Sequence, residues 1–401
     1  MRKTIGLAMM VGLVLVAAGC GSEKVAVTEE TVLAGVDLKY HWTLDLQIAA
    51  DGVTLERIWQ MDGEVYCLTS DSELFCVDAE IGHIRWSIAL PDEEANVFQP
   101  SHYDGMLMTE EPLSLEQIQN PVRIGQLKPF DAVLVNTLSR LLVIDRDSTG
   151  TPKVYRNIEL DFAANTGATT DGESAFIGST DGFCQAVLLG AAVPRWDLDL
   201  RTQVKARPEA HDRLIYVAGT ARANNTFYCL RSGDEYEVMW RQQLPGPVAA
   251  NFHVDSRGCF VPCKRNVLKA FDVVSGDALW PTVSMEGLLT TPVQVSSNSV
   301  FQYADYDKFY AINIIDGSVR WTMPEARMVL AVIDGKVYLR DASDNLRIVN
   351  EVMGSQEGTL PLAGFDFFVP NTETPAIFTA TRDGRLFCIS PTDQASVVAA
   401  E

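Results

Sequence analysis

Asp272-Val273-Val274-Ser275-Gly276-Asp277-Ala278-Leu279-Trp280 decides the fold because it recurs. Asn313-Ile314-Ile315-Asp316-Gly317-Ser318-Val319-Arg320-Trp321 repeats its frame, and Asp78, Gly82 and Trp86 carry the same spacing of four and four. Looser copies end at Tyr155, Trp196 and Trp240, and successive aromatics at 196, 240, 280 and 321 are 44, 40 and 41 residues apart. A second echo, W-x-x-x-L, joins Trp42/Leu46, Trp86/Leu90, Trp196/Leu200 and Trp240/Leu244. The chemistry of the unit is architectural. A short Asp or Asn side chain accepts backbone N–H groups in a tight turn, Gly takes the positive φ that other residues resist, and Trp buries a large ring. The periodicity of these Asp residues argues for turns rather than for acids or metal ligands. Trp42, Trp86, Trp196, Trp240, Trp280 and Trp321 are accordingly read as structural residues between neighbouring units.

Each copy opens with a turn such as Asp62-Gly63, Asp171-Gly172 or Asp334-Gly335, then a β-rich run such as Val65-Tyr66-Cys67-Leu68 or Lys336-Val337-Tyr338-Leu339. A second turn, as at Asp71-Ser72 or Asp383-Gly384, leads into another run such as Leu74-Phe75-Cys76-Val77. Turns between short β-branched and aromatic runs mark antiparallel hairpins. Four strands in about 40 residues, repeated, predict a β-propeller blade. Units fall at 58–90, 100–160, 171–200, 213–244, 258–284, 298–323 and 335–360. Two fragments remain: a hairpin at 376–389 with no tryptophan strand after it, and Tyr40-His41-Trp42-Thr43-Leu44 with no hairpin before it. Joined, they predict an eighth blade. The expectation is an all-β, eight-bladed propeller of four-stranded antiparallel blades, closed by pairing of the N- and C-terminal strands over 38–390. Such closure removes open sheet edges.

The 401 residues include 32 Lys plus Arg and 53 Asp plus Glu, a formal charge of −21. Without the first nineteen residues, 30 cations face 53 anions, a net −23. A phosphate-tracking surface needs the opposite sign, which excludes nucleic acid as a partner class. With 47% hydrophobic and 21% charged residues the chain does not read as disordered.

Arg2 and Lys3 precede an uncharged run from Ile5 to Ala18, too short for a membrane span and suited to a secretory signal peptide over 1–19. It ends in Ala17-Ala18-Gly19-Cys20. This resembles the lipobox of bacterial lipoproteins, which implies acylation of Cys20 and a mature N-terminus there. Ala17 stands where that pattern prefers Leu. The alternative is an ordinary signal peptide with an incidental Cys20. Gly21 lacks the Asp that retains such lipoproteins at the inner membrane, which points to the outer membrane facing the periplasm. Residues 20–37 show no clear period and read as a flexible tether, and 391–401 as a C-terminal tail.

The repeats resemble the PQQ-like (quinoprotein-type) repeat over about 350 residues. Together with the lipobox, the chain is similar to the BamB family of outer-membrane assembly lipoproteins. The resemblance implies a monomeric, non-catalytic scaffold whose partners are envelope proteins, and no cofactor. Quinoprotein dehydrogenases carry an adjacent Cys-Cys pair. Here the nearest cysteines, Cys259 and Cys263, are separated by Phe-Val-Pro. A ligand-binding propeller for small molecules or glycans is the main alternative, and a PQQ-dependent oxidoreductase a more distant one.

The sequence offers little catalytic chemistry. Its five histidines (41, 83, 102, 211, 253) form no H-x-H or H-x-x-x-H pair, and no G-x-S-x-G elbow or P-loop occurs. With Cys20 acylated, seven cysteines remain. Cys76, Cys184, Cys229 and Cys388 occupy the blade position held elsewhere by Ala270 and Ala311, which predicts small buried residues. Cys67 and Cys76 are expected to oppose each other across one hairpin, within reach of a bridge. Cys259 and Cys263 lack a second ligand pair for zinc.

Two segments depart from the blade template. The insertion 109–130, with Leu113, Leu115, Ile118 and Phe130, is either a partner contact or a passive loop. The segment 364–370, with Phe365, Phe367 and Phe368, is either an exposed aromatic contact patch or the first strand of the last blade.

Overall fold

The computed structural model describes residues 26–91, 96–108, 128–221 and 224–392. Eight four-stranded antiparallel sheets follow one another through the chain. Their innermost strands are Leu55–Met61, Ser101–Met108, Thr169–Thr170, Glu209–His211, His253–Asp255, Gln294–Val295, Ala326–Ile333 and Phe367–Phe368 for blades 1 to 8. The eighth sheet takes its outermost strand, Leu38–Asp45, from the N-terminus, paired with Arg385–Pro391 from Leu38↔Pro391 to Asp45↔Arg385. Second strands such as Glu64–Thr69 and Gly258–Cys263 are buried along their whole length, because a neighbouring blade covers each face. Outermost strands such as Val193–Asp199 alternate, one side packed and the other wet.

The meander gives the ring two unlike faces. The turn face carries the hairpins between first and second strands and between third and fourth. The connection face carries the turns between second and third strands and the links from blade to blade.

The repeated D-x-x-x-G-x-x-x-W frame forms the third-to-fourth turn. Asp78 Oδ1 accepts the N–H groups of Glu80 and Ile81 at 2.9 and 3.1 Å, and Asp272 Oδ1 those of Val274 and Ser275 at 3.0 and 2.7 Å. Gly82, Gly276, Gly317 and Gly354 hold φ between 67° and 73°. The tryptophan of the preceding blade lies on each glycine. A Cβ at Gly82 would meet Trp42 at 2.5 Å, at Gly276 Trp240 at 2.6 Å, at Gly317 Trp280 at 2.6 Å and at Gly354 Trp321 at 2.4 Å. Several indoles also donate into the next blade: Trp42 to Ala79 O at 2.8 Å, Trp240 to Val273 O at 3.0 Å, Trp321 to Glu351 O at 2.7 Å and Trp196 to Ser232 Oγ at 3.2 Å. Trp86 is fully buried and bridges to Gly150 of blade 2.

Three expectations need correction. The tether expected over 20–37 is ordered against the ring from Thr28 onward. Thr28 N–H donates to Ala363 O at 3.0 Å and its hydroxyl to Pro361 O at 3.1 Å, while Tyr40 OH donates to Thr28 O at 2.6 Å. Helix α1 (Glu30–Ala34) buries Leu33 completely. The cause lies in blade 7, where Gly358 stands eight residues after Asn350, the place of tryptophan elsewhere. The seam to blade 8, where the chain ends meet, has no third-to-fourth turn to seat an indole. Leu33 and Val36 fill it instead, Val36 Cγ1 standing 3.4 Å from where a Gly358 Cβ would be.

The second concerns Cys67 and Cys76, which are both free. Cys67 pairs with Phe75, and Cys76 with Tyr66. The one-residue difference from the expected register sends the two thiols to opposite sides of the sheet and into different cores.

Third, the last strand runs to Pro391 and Thr392 N–H still donates to Asp37 O at 2.9 Å, so the tail starts later than expected. The signal peptide, Cys20 and residues 393–401 lie outside the described residues.

Candidate docking face and channel mouth

On the turn face the innermost strands surround a funnel of about 540 Å³. Polar side chains on its wall bridge adjacent blades. Gln60 Nε2 donates to Thr374 Oγ1 at 2.7 Å across blades 1 and 8. Gln294 pairs its amide with both Val329 N–H and Val329 O at 2.9 Å across blades 6 and 7. In blade 5, His253 Nε2 lies 3.0 Å from Asp255 Oδ2, and Arg257 Nε donates to the same oxygen at 3.0 Å. Burial opposes ionisation of Asp255, but these donors outweigh it and hold the carboxyl below the usual carboxylate range.

Between blades 1 and 2 a buried ionic web adjoins the funnel. Glu64, 1% exposed, accepts from Arg85, from Arg146 Nε at 3.2 Å and from Tyr66 OH at 2.8 Å. His102, 2% exposed, stands between two carboxylates: Nε2 is 3.1 Å from Glu64 Oε2 and Nδ1 3.1 Å from Asp62 Oδ2. Arg146 also donates to Asp104 Oδ1 at 2.8 Å and to Asp62 O at 2.6 Å. The close approach of His102 is the largest influence on Asp62 and lowers its pKa. Burial pushes the Tyr66 phenol well above its ordinary value, with the neighbouring Cys76 and Glu64 adding to it. Glu373 at the funnel rim is exposed, yet the protein around it displaces enough water to raise its pKa, with Asp62 adding to it. Both oxygens of Glu64 are engaged, and the web ties blade 1 to blade 2. Among the described residues no group of three or more His, Cys, Asp or Glu is placed to hold a metal ion.

Outside the funnel, the third-to-fourth turns present apolar tips to solvent: Ile81 at 65% exposure, Val274 at 73%, Ile315 at 82% and Met353 at 75%. Exposed carboxylates flank three of them, Glu80 beside Ile81, Asp277 beyond Val274 and Asp316 beside Ile315. Sequence reasoning missed these residues because the turns were read only for the Asp and Gly that build them. The available signal was an apolar residue two or three places after the Asp or Asn, where a turn is ordinarily polar. Blade 2 adds a projection on the same face. Its first two strands stay paired out to Met108↔Lys128, beyond Tyr103↔Ala132, the level at which blade 1 is already turning.

The aromatic residues picked from sequence do not form one patch. Phe365 is 9% exposed and packs its ring 5.2 Å from Phe387, so of the two alternatives for 364–370 it follows packing in the last blade rather than surface contact. Phe367 and Phe368 are the half-buried first strand of blade 8, with the Arg340 guanidinium 4.2 Å above Phe368. Those rings pack there because blade 8 needs an inner strand to cover Ile377–Ala380. Phe130 lies apart in blade 2, its ring centroid 4.7 Å from Tyr155. Leu113, Leu115 and Ile118 lie outside the described residues.

Comparison with known proteins places this geometry. The family profile described as "Outer membrane protein assembly factor BamB", built on PQQ-like repeats, matches residues 264–357, which hold the three most regular Asp/Asn-Gly turns. The crystal structure of BamB from Moraxella catarrhalis superposes with a TM-score of 0.62 at 13% identity, covering 89% of this chain and 98% of that one. The computationally designed Ika8 protein gives 0.60 at 12% identity over 84% and 95%. No curated protein matches the sequence. At these identities the structural likeness is one of fold. The chain is an eight-bladed propeller whose residues 264–357 match the BamB profile and whose fold resembles that of BamB.

Proposed function

We propose that this protein is a lipid-anchored, non-catalytic scaffold of the bacterial envelope, docking other envelope proteins in outer-membrane protein assembly. The turn face carries the reading. Four apolar tips stand in solvent, three of them beside exposed carboxylates, on a ring whose most buried acid next to the funnel, Glu64, is already paired with arginine. Such a surface suits a partner that offers apolar anchors within a basic surround. The BamB likeness supports assembly as the setting, Ala17-Ala18-Gly19-Cys20 supports the anchor, and Gly21 after it supports an outer-membrane location facing the periplasm.

Capture from native membranes under mild crosslinking tests it. Wild-type protein is expected to recover barrel-assembly proteins, and a variant combining Ile315→Asp and Met353→Asp to recover at least tenfold less at unchanged thermal stability. Recovery of no envelope partner, or equal recovery by the variant, would count against the turn face as the docking surface.

A further inference from the structure

The N-terminal segment meets the ring on one face. Thr28 is bonded to Ala363 and Pro361, and the Ala26 carbonyl lies against Gly364, where a Cβ would meet it at 2.3 Å. These partners belong to the link between blades 7 and 8. Leu362 N–H donates at 2.8 Å to Asp344 O in the second-to-third turn of blade 7, so this is the connection face. From Thr28 the chain follows the outer edge of blade 7 to Asp37 and enters the ring at the opposite end, beside Pro391. Residue 26 therefore sits at the connection face, away from the apolar-tipped turns.

Five residues, 21–25, separate Cys20 from Ala26. Six chain steps reach at most about 20 Å, against roughly 60 Å for a tether free up to Asp37. Resting on the anchor reading above, we propose that the ring is held with its connection face against the lipid headgroup layer and its turn face directed away from the bilayer. Tyr306, fully exposed, and Leu288, 49% exposed, lie on that face in the second-to-third turn of blade 6 and the link before it. The Leu288↔Asp305 bridge joins the two segments. Tyrosine is favoured at the membrane–water interface. The net −23 disfavours an anionic leaflet and selects a zwitterionic one. This orientation leaves Ile81, Val274, Ile315 and Met353 in the aqueous space where a partner would arrive.

The test couples Cys20 of the mature chain, residues 20–401, to a maleimide lipid in phosphatidylcholine vesicles. The other seven cysteines are buried, which confines coupling to Cys20. A dye introduced through a clickable residue at Tyr306 or at Ile315 occupies opposite faces of one blade. Energy transfer to a rhodamine-labelled lipid is expected to be at least twofold more efficient from 306 than from 315. Twenty Gly/Ser residues inserted after Gly21 should erase that difference. Equal transfer in the unspaced chain, or stronger transfer from 315, overturns the orientation alone. Intact mass of full-length protein matured in a bacterial host reports acylation separately, and an unmodified Cys20 overturns the anchor reading and this proposal with it.

Discussion

A Trp-on-Gly contact is the smallest unit that carries the fold. At Gly317 a methyl group would meet Trp280 at 2.6 Å on a backbone at φ 71°. Gly317→Ala is therefore expected to destabilise through both overpacking and positive φ, by about 2–4 kcal/mol in urea unfolding. An effect below half a kilocalorie would show that the seam is slack. Two carboxyls respond to pH in opposite senses. Asp62 has a lowered pKa in the folded state. Its contribution is present above the unfolded value, about 3.9, and is lost as pH falls through the folded value. Glu373 has a raised pKa. It opposes folding once pH exceeds its unfolded value, about 4.3. Asp62→Asn should thus flatten the loss of stability below about pH 4, and Glu373→Gln should stabilise at pH 7 but not at pH 3. Thermal melts across pH check both, and identical profiles for wild type and variants would refute the assigned environments.

Among elements, the N-terminal segment departs furthest from expectation. Leu33 joins Ile348, Leu360 and Ile389 in the blade 7–8 core. Leu33→Asp buries a charge in that core and should cost at least 3 kcal/mol. Hydrogen exchange should rise first in Gln356–Pro361 and Leu38–Asp45, the strands flanking the seam. Uniform exchange across all eight blades would mean that the segment is not part of this seam. The ordinary blades were legible because each reuses one frame. The 7–8 seam was not, since its substitute for Trp comes from a part of the chain with no repeat. The Cys67/Cys76 register was missed for a related reason: counting from the turn gives strand length but leaves a one-residue ambiguity, and one residue exchanges the two sides of a sheet.

At the scale of the whole molecule, the sequence by itself determined the number of blades, the closure by Leu38–Asp45 against Arg385–Pro391, and the structural standing of the recurring Asp, Gly and Trp. These are local and periodic properties, repeated around the ring with variations, so chance agreement is small. Only the tertiary structure decided that Phe365 is core, that Glu64, His102 and Arg146 meet, and that Ile81, Val274, Ile315 and Met353 share one face opposite the N-terminal segment's point of attachment. Each depends on distances between residues tens to hundreds of positions apart. Those distances are fixed by the closing of the ring, which no single blade encodes.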